Sequence, residues 1–387
     1  MWTNGTIEDV LALIQNGINC KQDKSGVGEK ITRIETISNS SIDYTKTGFS
    51  ELDEKQKAKA KLEAGDILFS HINSPIHVGK TALYDGKEPL FHGINLLRLR
   101  TIDAVDSSYF NMFLVSLFQS GYWKKTAKQS VNQASVNQTD IKSVPFSYPS
   151  LAEQQRIVAK LDAAFAEIDK AIKLVETKQA NAEKMKASLL DASLKGDDAL
   201  CKTVKLGDIT TVIAGQSPKG KYYNKDGKGT PFYQGKKDFG EYYLNPPTVW
   251  TDVVTKKAEK DDILMSVRAP VGALNIATQQ ICIGRGLAAI RPTSDILHDY
   301  LFYSLLSISH QLEGSAGAIF NSINKKQIEE ISVRLPPLAE QQCIVAKLTD
   351  AFAEIDTVFA TAALAKENYT ALKSATLAQE LSPSEAA

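Results

Sequence analysis

The chain has 387 residues, 43% of them hydrophobic and 23% charged, a composition that supports sizeable buried cores and argues against disorder. Basic and acidic side chains balance to a formal net charge of +0, so the whole-chain charge gives no sign of a polyanionic partner. The length points to two or three domains; no run of eighteen apolar residues occurs and the start MWTNGTIEDV has no basic-then-apolar leader, so secretion and membrane spanning are not expected and a cytoplasmic location is.

Residues 1–150 carry 17 basic and 16 acidic side chains and read as a mixed α/β globular domain. Short apolar or alternating runs such as Asp66 to Ser70 and Leu96 to Arg100 are broken by Gly, Pro, Asn and Asp, which marks strands. Ser108 to Leu117 reads as a helix whose aromatic residues face a core. The polar chemistry lies in loops: Lys21, Gln22, Lys24, Arg33, Ser70, Asn73, Ser74, His77, Lys80, Gln129 and Asn132. Lysine can hold phosphates, while Gln, Asn and Arg can pair with base edges in a major groove, so these loops are candidate DNA contacts.

At Pro149 the pattern changes to a helix-favouring composition rich in Ala, Leu, Glu, Gln and Lys. Val158, Leu161, Phe165, Ile168, Ile172 and Val175 recur in steps of three and four, the seam of a coiled coil. A helix from Leu151 to about Lys195, stopped by Gly196-Asp197-Asp198, would be roughly 65 Å long.

Residues 202–337, with 17 basic and 13 acidic side chains, form a second mixed α/β domain, with strands near Ile263 to Val267 and Leu287 to Arg291 and a helix from Asp299 to Ser307. Its polar loops are richer: Gln216, Ser217, Lys219, Lys221, Tyr222, Tyr223 and Asn224, then Gln234, Lys236 and Lys237. Arg268 and Arg285 are candidates for bidentate contacts to guanine or phosphate. Asn245-Pro246-Pro247-Thr248 is close to a base-gripping methyltransferase motif but lacks its aromatic residue, and no glycine loop for a nucleotide-like cofactor precedes it. The four cysteines (Cys20, Cys201, Cys282, Cys343) and five histidines have no metal-ligand spacing, so no catalytic, cofactor or metal site is expected in this chain.

The last segment reveals the organisation. PSLAEQQRIVAKLDAAFAEID (149–169) returns as PPLAEQQCIVAKLTDAFAEID (336–356), identical at 17 of 21 positions at an offset of 187. A period that long means a duplicated domain rather than a repeat array. Val345, Leu348, Phe352, Ile355, Phe359 and Ala362 repeat the helical stripe, and the match extends upstream, with Ser135, Val136, Asn137 and Ile141 answering Ser322, Ile323, Asn324 and Ile328. The expected fold is therefore α+β: two mixed α/β domains (1–150 and 202–337) separated by long helices (151–201 and 338–387) that pair antiparallel as a coiled coil, with a pseudo-two-fold relation and a dumbbell outline. The loops diverge between the copies, which suits two readers of different targets on one frame.

The doubled Pro-x-Leu-Ala-Glu-Gln-Gln-x-Ile-Val-Ala-Lys-Leu segment resembles that of specificity subunits from type I restriction-modification systems, and Gly215-Gln216-Ser217-Pro218 and Val267-Arg268-Ala269-Pro270-Val271-Gly272 resemble segments of their target-recognition domains. The resemblance spans the whole chain. It implies a non-catalytic reader of a bipartite, asymmetric double-stranded DNA site that assembles with two modification subunits, which carry S-adenosylmethionine and methylate adenine, and with ATP-using restriction subunits. One departure is Cys343, where the first copy has Arg156. The residues taken by themselves leave a self-contained methyltransferase or nuclease, or a coiled-coil scaffold without DNA, as alternatives. The resemblance also implies that the helices set the gap between half-sites. Inserting one helical turn into 151–195 should widen the unspecified spacer in methylation-mapped sites, and an unchanged spacer would refute that role.

Overall fold

The computed structural model describes residues 2–38, 40–130, 133–195, 201–314 and 322–382, without the side chains of 310–314. The chain divides into two compact units, Met1–Val175 with Leu364–Ala387 and Glu176–Ala363. Each unit therefore combines one globular half with parts of both long helices, Leu151–Lys195 and Leu338–Glu380.

The first unit is built on a four-stranded antiparallel sheet in the order Leu11–Asn16, Leu97–Thr101, Ile67–Phe69, Thr81–Leu83. Ile67, Leu68 and Phe69 are all fully buried, because both faces of their strand are covered. Phe69, Leu97 and Leu99 meet Tyr109, Phe110 and Leu114 of the helix Ser107–Gln119, and Leu68 faces a second cluster with Tyr84 and Leu90. Edge-to-face packing of Phe69 on Trp123 and of Phe110 on Phe146, at centroid separations of 5.1 and 5.3 Å, fixes the aromatic layer, so these rings are core. The helix starts one residue before its expected position because the Asp106 carboxylate accepts the Tyr109 N–H, an N-cap.

The second unit repeats the frame. Its sheet runs Thr210–Ala214, Leu287–Pro292, Ile263–Ser266, Leu274–Ile276, the same order by position in the chain. Beside it lies a five-stranded sheet in which Thr230–Tyr233 runs parallel to Ile281–Ile283. The expected helix at Asp299 extends over His298–Gly314.

Two polar devices occur once in each unit. Asp66 is fully buried and takes a bidentate pair from Arg100 at 2.7 and 3.0 Å; Asp262, 2% exposed, takes the same from Arg291 at 2.7 and 2.7 Å. Removing one partner would strand a charge, which is why such pairs hold a strand register tightly. Gln154 and Gln341, also fully buried, clamp the start of each long helix. The Gln154 carbonyl accepts the Asp106 N–H (2.8 Å), and its amide donates to the carbonyls of Ala104 and Pro149 (3.1 and 2.9 Å). Gln341 accepts from Leu297 (2.8 Å) and donates to Asp295 and Pro336 (3.2 and 2.9 Å).

The long helices pair antiparallel within each unit. In the first, Lys160 reaches Glu380 at 2.7 Å and Lys373 reaches Asp169 at 2.8 Å, while Ile157 and Leu161 share one core with Leu377 and Leu381. Val158 and Phe165 are partly buried against that core and Ile168 is buried; Ile172 and Val175 are intermediate. In the second, Ile344, Leu348 and Phe352 share a core with Leu190, with Leu194 and Val345 against it; Ile355 and Ala362 are buried and Phe359 is intermediate. The stripe begins at Ile157 and Ile344, one residue earlier than Val158 and Val345. Lys186 bonds Asp356 at 2.8 Å and sits over Phe352 at 4.8 Å; Lys373 sits over Phe165 at 4.9 Å.

Gln154→Ala would strip the Asp106 N–H and two carbonyls of their partner. A loss of about 2–4 kcal/mol in the first unit is expected, read as faster amide exchange in 104–106 and 149–161 with the amides of 295–297 unchanged.

Candidate nucleic-acid interface

In the second unit, backbone hydrogen bonds gather four of the anticipated loops. Gly215 and Gln216 donate to Leu287 and Ile283 (2.9 Å each), Gly284 and Gly286 donate to Tyr233 and Gln234 (2.8 and 3.2 Å), and Val267 donates to Gly286 (2.9 Å). Ser217 Oγ accepts the Arg285 N–H at 3.2 Å. Gln216, Gln234, Arg268 and Arg285 are thereby displayed, all exposed, from loops that touch one another. Close approach demands glycine at Gly215, where a Cβ would lie 2.2 Å from the Gly284 carbonyl oxygen.

The neighbouring residues divide by role. Lys219, Lys221, Lys236 and Lys237 are exposed, and Lys221 lies over the Tyr222 ring at 5.0 Å. Tyr223 stacks on Phe232 at 4.8 Å and its hydroxyl donates to Pro218, while the Asn224 side chain is spent on Asp226 and Lys228 of its own turn. Tyr223 and Asn224 therefore shape the loop. Burial lifts the Asp238 carboxyl above its ordinary value and the Tyr233 hydroxyl to about 12.

In the first unit the anticipated residues fall into separate groups. Ser70, Asn73, His77 and Lys80 line a cleft with the segment Ile34–Ser38. Ser70 is buried, and the Asn73 amide donates to its hydroxyl at 3.0 Å while the Asn73 carbonyl accepts the Ser74 N–H, so this set also holds its own loop. Gln129 belongs to the hairpin Lys128–Ser130 and Gln133–Ser135, which joins Ile72–Asn73 in one three-stranded sheet; its amide donates to Lys124. Lys21 and Lys24 are exposed, Lys21 on another cleft shared with Asp23 and Gln56, and Gln22 is half-buried. Arg33 is held by Glu35 at 2.7 Å. Asn132 lies outside the described residues. Burial lowers the His71 imidazole below its ordinary value, so it is neutral at pH 7 and adds no cation beside Ser70. Among the described residues no group of His, Cys, Asp or Glu is placed to hold a metal ion, and no helix is long and apolar enough to cross a membrane.

The family described as "Type I restriction modification DNA specificity domain" matches residues 1–178 and again 200–359. The chain belongs to that family. The putative type I restriction enzyme MjaX specificity subunit of Methanocaldococcus jannaschii is 42% identical over 366 residues, covering 90% of this chain and 86% of its own. The EcoKI specificity subunit of Escherichia coli K12 is 28% identical over 193 residues, 49% of this chain and 42% of its own. Among solved structures, a chain from work on complex assembly and conformational transition of the type I R-M system superposes with a TM-score of 0.80 at 26% identity, covering 98% of this chain and 97% of its own. The HsdS subunit from Thermoanaerobacter tengcongensis gives 0.57 at 25% identity, with 98% and 96% covered.

As a specificity subunit the chain is a recognition rather than a catalytic component, and the two family matches fall one on each globular half. Sequence reasoning missed the polar residues that fix the frame behind these loops: Asp66, Arg100, Asp262, Arg291, Gln154 and Gln341. Their signal was present, since both glutamines lie in the repeated segment and both aspartates precede a matched Ile-Leu strand. Gly215→Ala should destabilise the second unit by about 1–3 kcal/mol and shift amide signals in loops 215–217, 233–235 and 284–286. Gly220→Ala, where a Cβ meets nothing within 4 Å, is the neutral control.

Proposed function

We propose that this chain reads the DNA target of a type I restriction-modification complex as two unlike half-sites, one for each globular half, separated by unspecified bases. The observation that carries the reading is the doubled frame. Strand order, Asp–Arg pair and glutamine clamp recur in both units, while the loops differ in length, charge and secondary structure. A common scaffold with different reading edges recognises an asymmetric site.

The boundaries at 1–150, 151–201, 202–337 and 338–387 are our functional partition: reading modules and helices that dock partners. Within the modules, Gln216, Gln234, Arg268 and Arg285 address base edges, and Lys219, Lys221, Lys236, Lys237, Lys21 and Lys24 address phosphates. The partners are two modification subunits, which bring S-adenosylmethionine, and restriction subunits, which use ATP; the complex works in the cytoplasm. A formal charge of +0 suits this division, because partner subunits can supply part of the phosphate grip.

Co-expression with a modification subunit and mapping of methylated adenines tests the reading. The expected result is a motif of two different parts flanking a fixed gap. A single uninterrupted palindrome would overturn it.

A further inference from the structure

The register that aligns the two units singles out one loop position. In the first unit Val136 N–H donates to the His71 carbonyl at 2.9 Å and Ser135 pairs with Ile72. In the second, Ile323 N–H donates to the Val267 carbonyl at 3.0 Å and Ser322 pairs with Arg268. Ser135 and Val136 stand 187 residues before Ser322 and Ile323, so Ile72 and Arg268 occupy one place in the frame. That place follows the most buried strand of each sheet, and its side chain is exposed in both units.

The chemistry at the position is opposite. In the first unit Ile72, on the short strand Ile72–Asn73, is 38% exposed and Ile76, in the turn that follows, 66%. Branched apolar side chains held out from a polar strand and turn gain nothing from water, and in a major groove the thymine methyl is the group they match. In the second unit Arg268 lies beside the loop that displays Arg285, and neither guanidinium has a carboxylate partner among the described residues. Five other arginines, Arg33, Arg98, Arg100, Arg156 and Arg291, are each paired with a carboxylate. An exposed, uncommitted guanidinium offers its donor fork to guanine O6 and N7.

We infer that the half-sites differ in base chemistry along this line: the second unit takes guanine through Arg268 and Arg285, and the first takes thymine-bearing A·T pairs through Ile72 and Ile76. The inference rests on the DNA-reading function proposed above and assigns each unit its bases.

The full chain, assembled with its modification subunit, is selected against randomised duplexes as wild type, Arg268→Gln, Arg285→Gln, Ile72→Ala and Ile76→Ala. The wild type should enrich guanine in one half-site and thymine in the other. Each arginine substitution should lower discrimination for one guanine on the order of ten- to a hundred-fold, leaving the other half-site intact, which also shows that the variant folds. Each isoleucine substitution should lower a thymine preference several-fold, as expected for about one or two lost methyl contacts, in the opposite half-site. Uniformly weaker binding with unchanged guanine preference would mark the arginines as phosphate contacts and overturn the inference. A sharp bipartite site indifferent to all four substitutions would sink this assignment alone; a wild type that selects no sequence would sink it together with the DNA-reading function.

Discussion

Everything downstream of Pro149 and Pro336 depends on how the first turns of each long helix are held, and one buried amide holds them. Gln154 and Gln341 fix that start by bonding at once to the chain entering the helix and to the elbow before the neighbouring helix. Their atoms sit out of water, where unmet hydrogen-bonding groups are costly, so the three bonds of each side chain form together or not at all. No charge is buried in the process, which spares the desolvation that a carboxylate would incur in the same place.

The seam between the helices is specified by a different device. A stripe of Ile, Leu and Phe tolerates sliding by a heptad, since one apolar layer resembles the next. Lys186 ends that tolerance. Burial works against its charge, but hydrogen bonds to Asp356 and Tyr242 outweigh this and keep the ammonium above its ordinary pKa. A slipped register would leave that half-buried cation facing apolar side chains. Lys373, Asp169 and Phe165 repeat the set in the first unit with greater exposure, so there the same contacts are worth less.

Much of the frame was legible in the sequence because its determinants are local or repeated. The helix Leu151–Lys195 follows from composition and spacing, and the strands around Ile67 and Ile263 from apolar runs cut off by turn residues. Less legible was the continuation of the repeat. Past Asp169 and Asp356 the match thins to scattered coincidences, among them Lys186 with Lys373, Leu190 with Leu377 and Leu194 with Leu381, yet these are seam positions. The polar loops were legible as loops, but the bonds that their side chains make were not. Asn224 and Asn73 have the residue type of a base reader but spend their amides on their own turns. Which side chains a loop frees is decided by its backbone hydrogen bonds, and these join segments far apart in sequence.

The division into units carries a consequence for biogenesis. The first unit is made of two segments, Met1–Val175 and Leu364–Ala387, and the second, Glu176–Ala363, lies between them in the sequence. On the ribosome, Ile157 and Leu161 must therefore wait for Leu377 and Leu381, which are made after every residue of the second unit. The second unit has all its parts sooner, although its globular half is translated later. Until then the nascent chain carries an open apolar stripe beginning at Ile157, and the first unit closes only after the second has all its parts.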